Sequence, residues 1–351
     1  MMNLSVSETI QKLQDSLREY IEATYHISNP TLIKQRNTIL KTQGVIYQEP
    51  YIESTPKYKV GKKIDELLID ENIKELFQLI SKDSGILKKL IFDPLYGHQS
   101  KSIEYSLGKN KSLLVMTGTG SGKTECFLLP ILGKLFKEAS SSNSFKTSAV
   151  RAILLYPMNA LVNDQLGRLR KLYADERIVS KFQEYSGRPI RFARYTSRTL
   201  YPGVRTVEKD QTRLKSIKDF YVDLINKSQD SSNPKQQEAL YFINELKERG
   251  KWPGKSDIVS WYGKDGSRWQ DKNGQFLRCI TLPNDSELLT RHEVLMNPPD
   301  VLITNYSMLE YMLMRPIESP IFDKTREWLN NNRKENLYLI VDEAHLYRGA
   351  A

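Results

Sequence analysis

The sequence predicts an α/β fold: a parallel sheet with helices on both faces, preceded by a mostly helical N-terminal module and interrupted by an insertion. Three observations carry that prediction. From about residue 90, short near-continuous apolar runs alternate with stretches apolar at helical spacing, the pattern of strands buried on both sides. "TGTGSGKT" (117–124) sits between one such run and one such stretch. "LYLIVDE" (337–343) ends an apolar run on two adjacent carboxylates.

Ser5 and Glu8 form an S-x-x-E capping box, and Ile10, Leu13, Leu17 and Ile21 share one helical face, so a helix is predicted over 5–25. The rest of residues 1–85 mixes short apolar patches with Pro30, Pro50, Pro56 and Gly61, an accessory module with no visible chemistry. Within 86–351, strands are predicted at 112–116, 149–157, 188–196, 300–305 and 337–343. "TECFLLPILGKLF" and "NALVNDQLGRLRKLY" are the helices that follow the first two. The stretch 206–290 breaks this rhythm. It is polar near 228–234 and Trp/Gly-rich later, with hairpin turn signals at Asp265-Gly266 and Asn273-Gly274. It reads as an insertion whose Trp252, Trp261 and Trp269 offer either stacking or, as the better reading, the packing of a hairpin core.

The chain has 52 Lys+Arg against 42 Asp+Glu, a net charge of +10. That excess suits a polyanion partner or plain surface solubility, and only its placement decides between them. No apolar run approaches the ~20 residues of a membrane helix, so no membrane partner is expected. The opening residues, which include Glu8 and Asp15, do not form a secretion signal. Cys126 and Cys279 are the only cysteines, without a CxxC pair, which argues against a disulfide framework or a zinc site; a reducing cytoplasm is the expected compartment.

"TGTGSGKT" has the composition of a phosphate-binding loop. Gly118, Gly120 and Gly122 can adopt the conformations that turn successive backbone N–H groups inward at a helix start, so Thr117, Gly118, Thr119, Gly120, Ser121 and Gly122 would cradle an anion. Lys123 would reach the β- and γ-phosphates of ATP, and the Thr124 hydroxyl would ligate Mg²⁺. The strict pattern has Gly where Thr117 stands. Phosphoryl transfer also needs a carboxylate at a neighbouring strand end. Asp342 suits the metal, and Glu343 beside it suits polarisation of the attacking water.

The loop "TGTGSGKT" followed by "VDEAH" (341–345) resembles the superfamily 2 helicases of the DEAD/DEAH-box type, whose first motif commonly lacks the leading Gly. "LYGHQ" (95–99) is similar to the family's adenine-reading segment and implies that role for Gln99. "YPMNALVNDQ" (156–165), "YTSR" (195–198) and "PPDVLITNYSML" (298–309) resemble its nucleic-acid motifs, in order. The resemblance covers about residues 90–351. It implies a RecA-like P-loop lobe and a nucleic-acid track lined by Pro157 and Asn159, by Thr196, Ser197 and Arg198, and by Thr304, Asn305 and Tyr306. It also implies a second RecA-like lobe, in this or a partner chain, because such enzymes bind ATP between two lobes. The segments "EPYIESTPKYKVGKKIDELL" and "VDEAHLYRGA" look most like a bacterial branch containing DNA-repair helicases and helicases of anti-phage defence islands. His345 is then either a hinge between sites or a plain polar strand-end residue.

"GRPIRFARYTSRTLYPGVR" carries Arg188, Arg191, Arg194, Arg198 and Arg205, with no acid between Glu184 and Glu208 and aromatic residues interleaved. As a cluster it reads as a basic strip for a nucleic-acid backbone, with DNA expected and RNA the alternative. Arg168, Arg170 and Lys171 read as an exposed helix face, and His26, His98 and His292 as structural. Three functions stay open: an ATP-dependent helicase or translocase, a catalytically idle nucleic-acid-binding subunit lacking the second lobe, and a P-loop ATPase of transport or signalling.

Overall fold

The computed structural model describes residues 5–48, 51, 57–85, 87–118, 120–264 and 266–347. The chain divides into two compact units, residues 1–57 and 58–351. The first holds two helices, α1 (Val6–Thr24) and α2 (Pro30–Lys41). The predicted capping box starts α1: Ser5 Oγ accepts from Glu8 N while Ser5 N donates to the Glu8 carboxylate at 2.7 Å. Asn29 caps α2 ahead of Pro30, which needs no N–H partner at the first helical position.

In the second unit α3 (Glu71–Ile80), α4 (Gly97–Ile103) and α5 (Glu125–Ser141) precede the sheet. Then follow β1 (Ala152–Tyr156), α6 (Asn159–Tyr173), α7 (Glu176–Ser186) and β2 (Phe192–Arg194). The stretch read as an insertion carries α8 (Val207–Arg213), α9 (Lys215–Ile217), α10 (Asp223–Gln229), α11 (Gln236–Glu248) and α12 (Ile258–Tyr262). The chain ends with β3 (Glu287–Leu288), α13 (Arg291–Met296), β4 (Val301–Asn305), α14 (Tyr306–Met314), α15 (Ser319–Asn331) and β5 (Tyr338–Val341). The five strands lie in the order β3-β2-β4-β1-β5, and every pairing is parallel.

The two-residue alternation of strands sorts the core. Ala152, Leu154 and Tyr156 of β1, with Val301 and Ile303 opposite, face the helices α3, α5, α6 and α7. Ile153 and Leu302 face the other way, onto Val294, Met308, Met312 and Ile321 of α13, α14 and α15. Both faces are covered at β1 and β4, as their near-continuous apolar runs require, whereas at the edge strand β5 Leu339 and Val341 are exposed. The sheet is the RecA-like α/β architecture expected, with helices on both sides.

Two strands differ from the sequence reading. Residues 111–118 form no regular element and pair with no strand, and Leu114 and Met116 are each 83% exposed. Without a buried face or a ladder partner nothing fixes that run as a strand. Conversely, β3 lies in a stretch without an apolar run, "NDSELLT". Its Glu287 is held by the Arg170 guanidinium through two bonds of 2.8 and 2.7 Å. The long-range ion pair, not local propensity, places that strand.

The stretch 206–290 does have a core of its own, built on Tyr201, Leu214, Val222, Ile258, Trp261 and Cys279. Trp261 is fully buried, and Trp252 and Trp269 pack edge-on against Tyr221 and Tyr262. The Asn273-Gly274 turn is formed, with Gly274 at φ +77° and Gln270 bridged to Phe276. Asp265 of the other turn signal lies outside the described residues.

Candidate nucleotide and nucleic-acid site

The phosphate loop is shaped by its glycines and by α4. Gly120 and Gly122 take φ of +72° and +76°, where a side chain is strained. At Gly122 there is also no space, since a Cβ would lie 2.5 Å from Gln99 Nε2. Inside the loop Thr117 Oγ1 and Ser121 Oγ are bonded at 2.7 Å. The loop runs into Thr124 at the start of α5, whose seventeen residues align their dipoles behind that end. Thr119 lies outside the described residues.

Gln99 is nearly buried, and both ends of its amide are used within the protein. Nε2 donates to Gly122 O at 3.1 Å, and Oε1 accepts from Tyr96 N at 3.0 Å. Gln99 therefore braces the phosphate loop. His98, read as merely structural, does the same: its Nε2 lies 2.8 Å from Ser121 O. Cys126 is a small buried residue, as its apolar surroundings suggested, and burial pushes its thiol up to about 12.

Asp342 continues the ladder beyond β5, donating its N–H to Leu155 O at 3.1 Å. Burial holds its carboxyl above the ordinary range, and the neighbouring Glu343 charge adds to the rise. The Glu343 amide, Lys123 and Arg168 pull the other way. The Lys123 charge is among those that act on the Asp342 carboxyl, although the two residues lie 219 positions apart in the sequence. Glu343 sits at φ +50°, a left-handed conformation unusual for a non-glycine residue and concentrated at functional sites. Its carboxylate lies 3.4 Å from His345 Nδ1.

The donor set fits a hydrated divalent cation. Asp342 is an acceptor with a desolvation penalty that a cation relieves, and Thr124 offers a hydroxyl at the loop's end. Around them Glu125 Oε2, Tyr156 OH and Tyr347 OH are buried without hydrogen-bond partners. Such orphaned groups suit a metal's water shell. No cluster of three or more His, Cys, Asp or Glu able to hold a metal occurs among the described residues. Arg168, expected only to face solvent, lies 3.8 Å from the Glu125 carboxylate, and its charge is felt at Tyr156 and Asp342.

The track residues come together at the same end of the sheet. Asn305 Nδ2 donates to Asn159 Oδ1 at 2.7 Å, and Asn159 Nδ2 reaches Ser197 Oγ at 3.4 Å. Three loops, after β4, β1 and β2, are thereby joined, with Pro157 half-buried beside them. Thr304 and Thr196 are buried and hold the loops: Thr304 Oγ1 donates to Tyr195 O at 2.7 Å, and Thr196 Oγ1 accepts from Arg198 N at 3.2 Å. Ser197, Arg198 and Tyr306 are exposed.

The arginine strip is not a surface strip. Arg188 is buried against Asp300, Arg205 pairs with Asp210 and stacks on Phe276, and Arg194 donates to Asn163 at 2.6 Å. Arg191 is partly buried, which leaves Arg198 as the exposed member. The reason is position: β2 lies inside the sheet, between β3 and β4, and its flanking arginines are enclosed by neighbours.

A family model described as DEAD/DEAH box helicase matches residues 96–214. The chain is 44% identical over 360 residues to the Druantia protein DruE of Escherichia coli, covering 98% of this chain and 19% of that protein. It is 32% identical over 119 residues to the uncharacterized ATP-dependent helicase YprA of Bacillus subtilis, covering 34% of this chain and 13% of that one. The chain thus spans at most about a fifth of the length of these relatives.

Proposed function

We infer that this chain, which carries the N-terminal lobe of a superfamily 2 DEAD/DEAH-box helicase, is the ATP-loading part of a nucleic-acid-dependent ATPase that moves along or unwinds DNA. The observation that supports this reading is the meeting of Asn159, Ser197 and Asn305 side chains at the sheet end where Asp342 continues β5. In an open α/β sheet ligands bind at the carboxyl ends of the strands, the end that Asp342 and the three joined loops occupy.

The family resemblance and the geometry together support the following roles. Residues 117–122 and the start of α5 bind the triphosphate, with Lys123 on its β- and γ-oxygens and Gln99 and His98 keeping the loop in shape. Thr124 and Asp342 would hold Mg²⁺, which when bound neutralises charge on the transferring phosphoryl group. Glu343 accepts the proton of the attacking water, held at its left-handed backbone position by the bond from its N–H to the Asp342 carboxylate. Ser197, Arg198, Asn305 and Tyr306 contact the sugar-phosphate backbone, so little sequence preference is expected. A second lobe, in the same polypeptide or a partner, supplies the arginines that complete the site. Of residues 1–85, the compact unit 1–57 is an accessory module while α3 packs in the core of the lobe; residues 206–290 are an insertion in the lobe, and the compartment is the cytoplasm. The match to DruE of Escherichia coli favours the bacterial branch.

Calorimetry with Mg·ATP and phosphate release with and without single-stranded DNA test this reading. The 351 residues alone should bind Mg·ATP and turn it over far below ordinary enzyme rates of ~1–10³ s⁻¹. Strand-stimulated turnover within that range would remove the need for a second lobe. Absence of Mg·ATP binding would remove the site.

A further inference from the structure

α4 presents two faces. Gln99, Ser102 and Ile103 point inward, toward the phosphate loop and the core, while Gly97, Lys101 and Glu104 lie on the outward side. Across that outward side runs a strap, residues 59–62. Gly61 N donates to Leu95 O at 2.7 Å, and Gly97 N donates to Lys59 O at 2.9 Å. A Cβ at Gly61 would meet Gly97 Cα at 2.8 Å, so the strap is held against the helix by two glycines in near contact.

Strap and helix bound a cleft of about 400 Å³ lined by Lys59, Lys62, Lys101, Glu104, Tyr105 and Lys109. Its carboxylate is already committed: Glu104 accepts from Lys62 Nζ at 2.6 Å and from Leu68 N at 2.9 Å. Lys59, Lys101 and Lys109 are exposed, and among the described residues none of the three has a carboxylate within ion-pair distance. The Tyr105 ring is 42% exposed, with the Lys109 ammonium 4.4 Å from its centroid. Lys109 also acts on Glu104, but that carboxylate is bonded to Lys62, and three exposed ammonium groups lining one cleft with an accessible aromatic ring form the pattern by which single strands are held without sequence preference. The volume is at the lower end of ligand pockets, enough for about one nucleotide.

We propose that this cleft holds a nucleotide of a single strand outside the track, its phosphates on Lys59, Lys101 and Lys109 and its base against Tyr105. The proposal rests on the nucleic-acid reading above and adds a contact on the opposite face of the helix that braces the phosphate loop. Through Gln99 and His98, a strand seated there lies one helix away from Gly122 and Ser121.

The test is fluorescence anisotropy of a labelled oligodeoxythymidylate over a range of salt, with the intact chain, a K59Q/K101Q/K109Q variant, its Lys→Arg counterpart and Y105A. Each lost phosphate contact to a single strand lowers the slope of log K against log salt by about 0.7, so the triple Gln variant should flatten it by about 2 and bind at least tenfold more weakly at low salt. The triple Arg variant, which keeps the charge, should restore the slope. Y105A should weaken binding severalfold with the slope unchanged. Mg·ATP affinity, read by calorimetry, should be the same in all four. Salt-dependent binding that the Gln variant leaves untouched overturns the cleft and spares the helicase reading. A Gln variant that loses Mg·ATP affinity but keeps the oligonucleotide shows that a free nucleotide, not a strand, uses the cleft. No salt-dependent binding by the intact chain overturns both.

Discussion

The two ends of the same strands carry opposite kinds of charge cluster. At the amino ends, Arg151, Glu138, Asp300 and Arg188 are buried and fully bonded. Glu138 accepts from Arg151 Nε at 2.7 Å, Ser144 Oγ at 2.6 Å and Trp328 Nε1 at 3.2 Å. Asp300 accepts from Arg188 at 2.7 and 2.8 Å, Arg151 at 2.9 Å and Arg191 N at 2.8 Å. Burial alone would raise the Asp300 carboxyl, but the two arginines outweigh it and hold it below the ordinary range. At the carboxyl ends, Asp342 is raised instead, and Glu125, Tyr156 and Tyr347 keep buried polar atoms without partners. A carboxylate whose partners all come from the protein is a joint. One whose partners are incomplete waits for a ligand.

The largest effect expected to separate the two ends is Glu343→Gln. It should lower turnover about 10²–10⁴-fold in a polypeptide carrying the whole enzyme, with Mg·ATP affinity and urea stability nearly unchanged. Normal turnover in that variant would remove Glu343 as the proton acceptor. Asp300→Ala should do the reverse. It leaves Arg188 and part of Arg151 buried without counter-charge, which costs about 3–5 kcal/mol in urea unfolding. A loss under about 1 kcal/mol would mean that the amino-end cluster is not a joint.

Gly122→Ala should have an intermediate effect. It forces a side chain into a left-handed conformation, costing about 1–2 kcal/mol, and drives a Cβ into Gln99. Mg·ATP affinity should fall with it, whereas unchanged affinity would mean that the Gln99 brace is idle.

The smallest effect concerns pH. The folded Asp342 carboxyl is raised, so its ionised form is a cost to the folded state above its pKa, and that cost disappears below the unfolded value. Asp342→Asn should therefore raise the Tm slightly at pH 7 without nucleotide, with the gain vanishing toward pH 4. The depressed Asp300 behaves oppositely, its contribution being lost as acid approaches its folded pKa. A Tm gain for Asp342→Asn that persists at pH 4 would assign the effect to something other than its charge.

Legibility in the sequence followed the range of the interactions. The capping box at Ser5, the glycine loop ahead of α5 and the Asn273-Gly274 turn were readable because their partners lie within a few residues. The arginine strip misled because what decides Arg188 is Asp300, 112 residues away. β3 was invisible for the same reason, since Arg170 holds it from 117 residues away. His98 and Arg168 gave no signal beyond their neighbours in sequence, and their roles depend on Ser121 and Glu125 arriving beside them.

By itself the sequence determined the alternation of strands and helices, the loop chemistry around Lys123 and the pair of acids at 342–343, because periodicity, backbone freedom and residue type are local properties. Tertiary structure alone decided which charges are joints and which remain open. Burial and the number of available donors set a charged group's energy, and neither exists until distant segments are brought together.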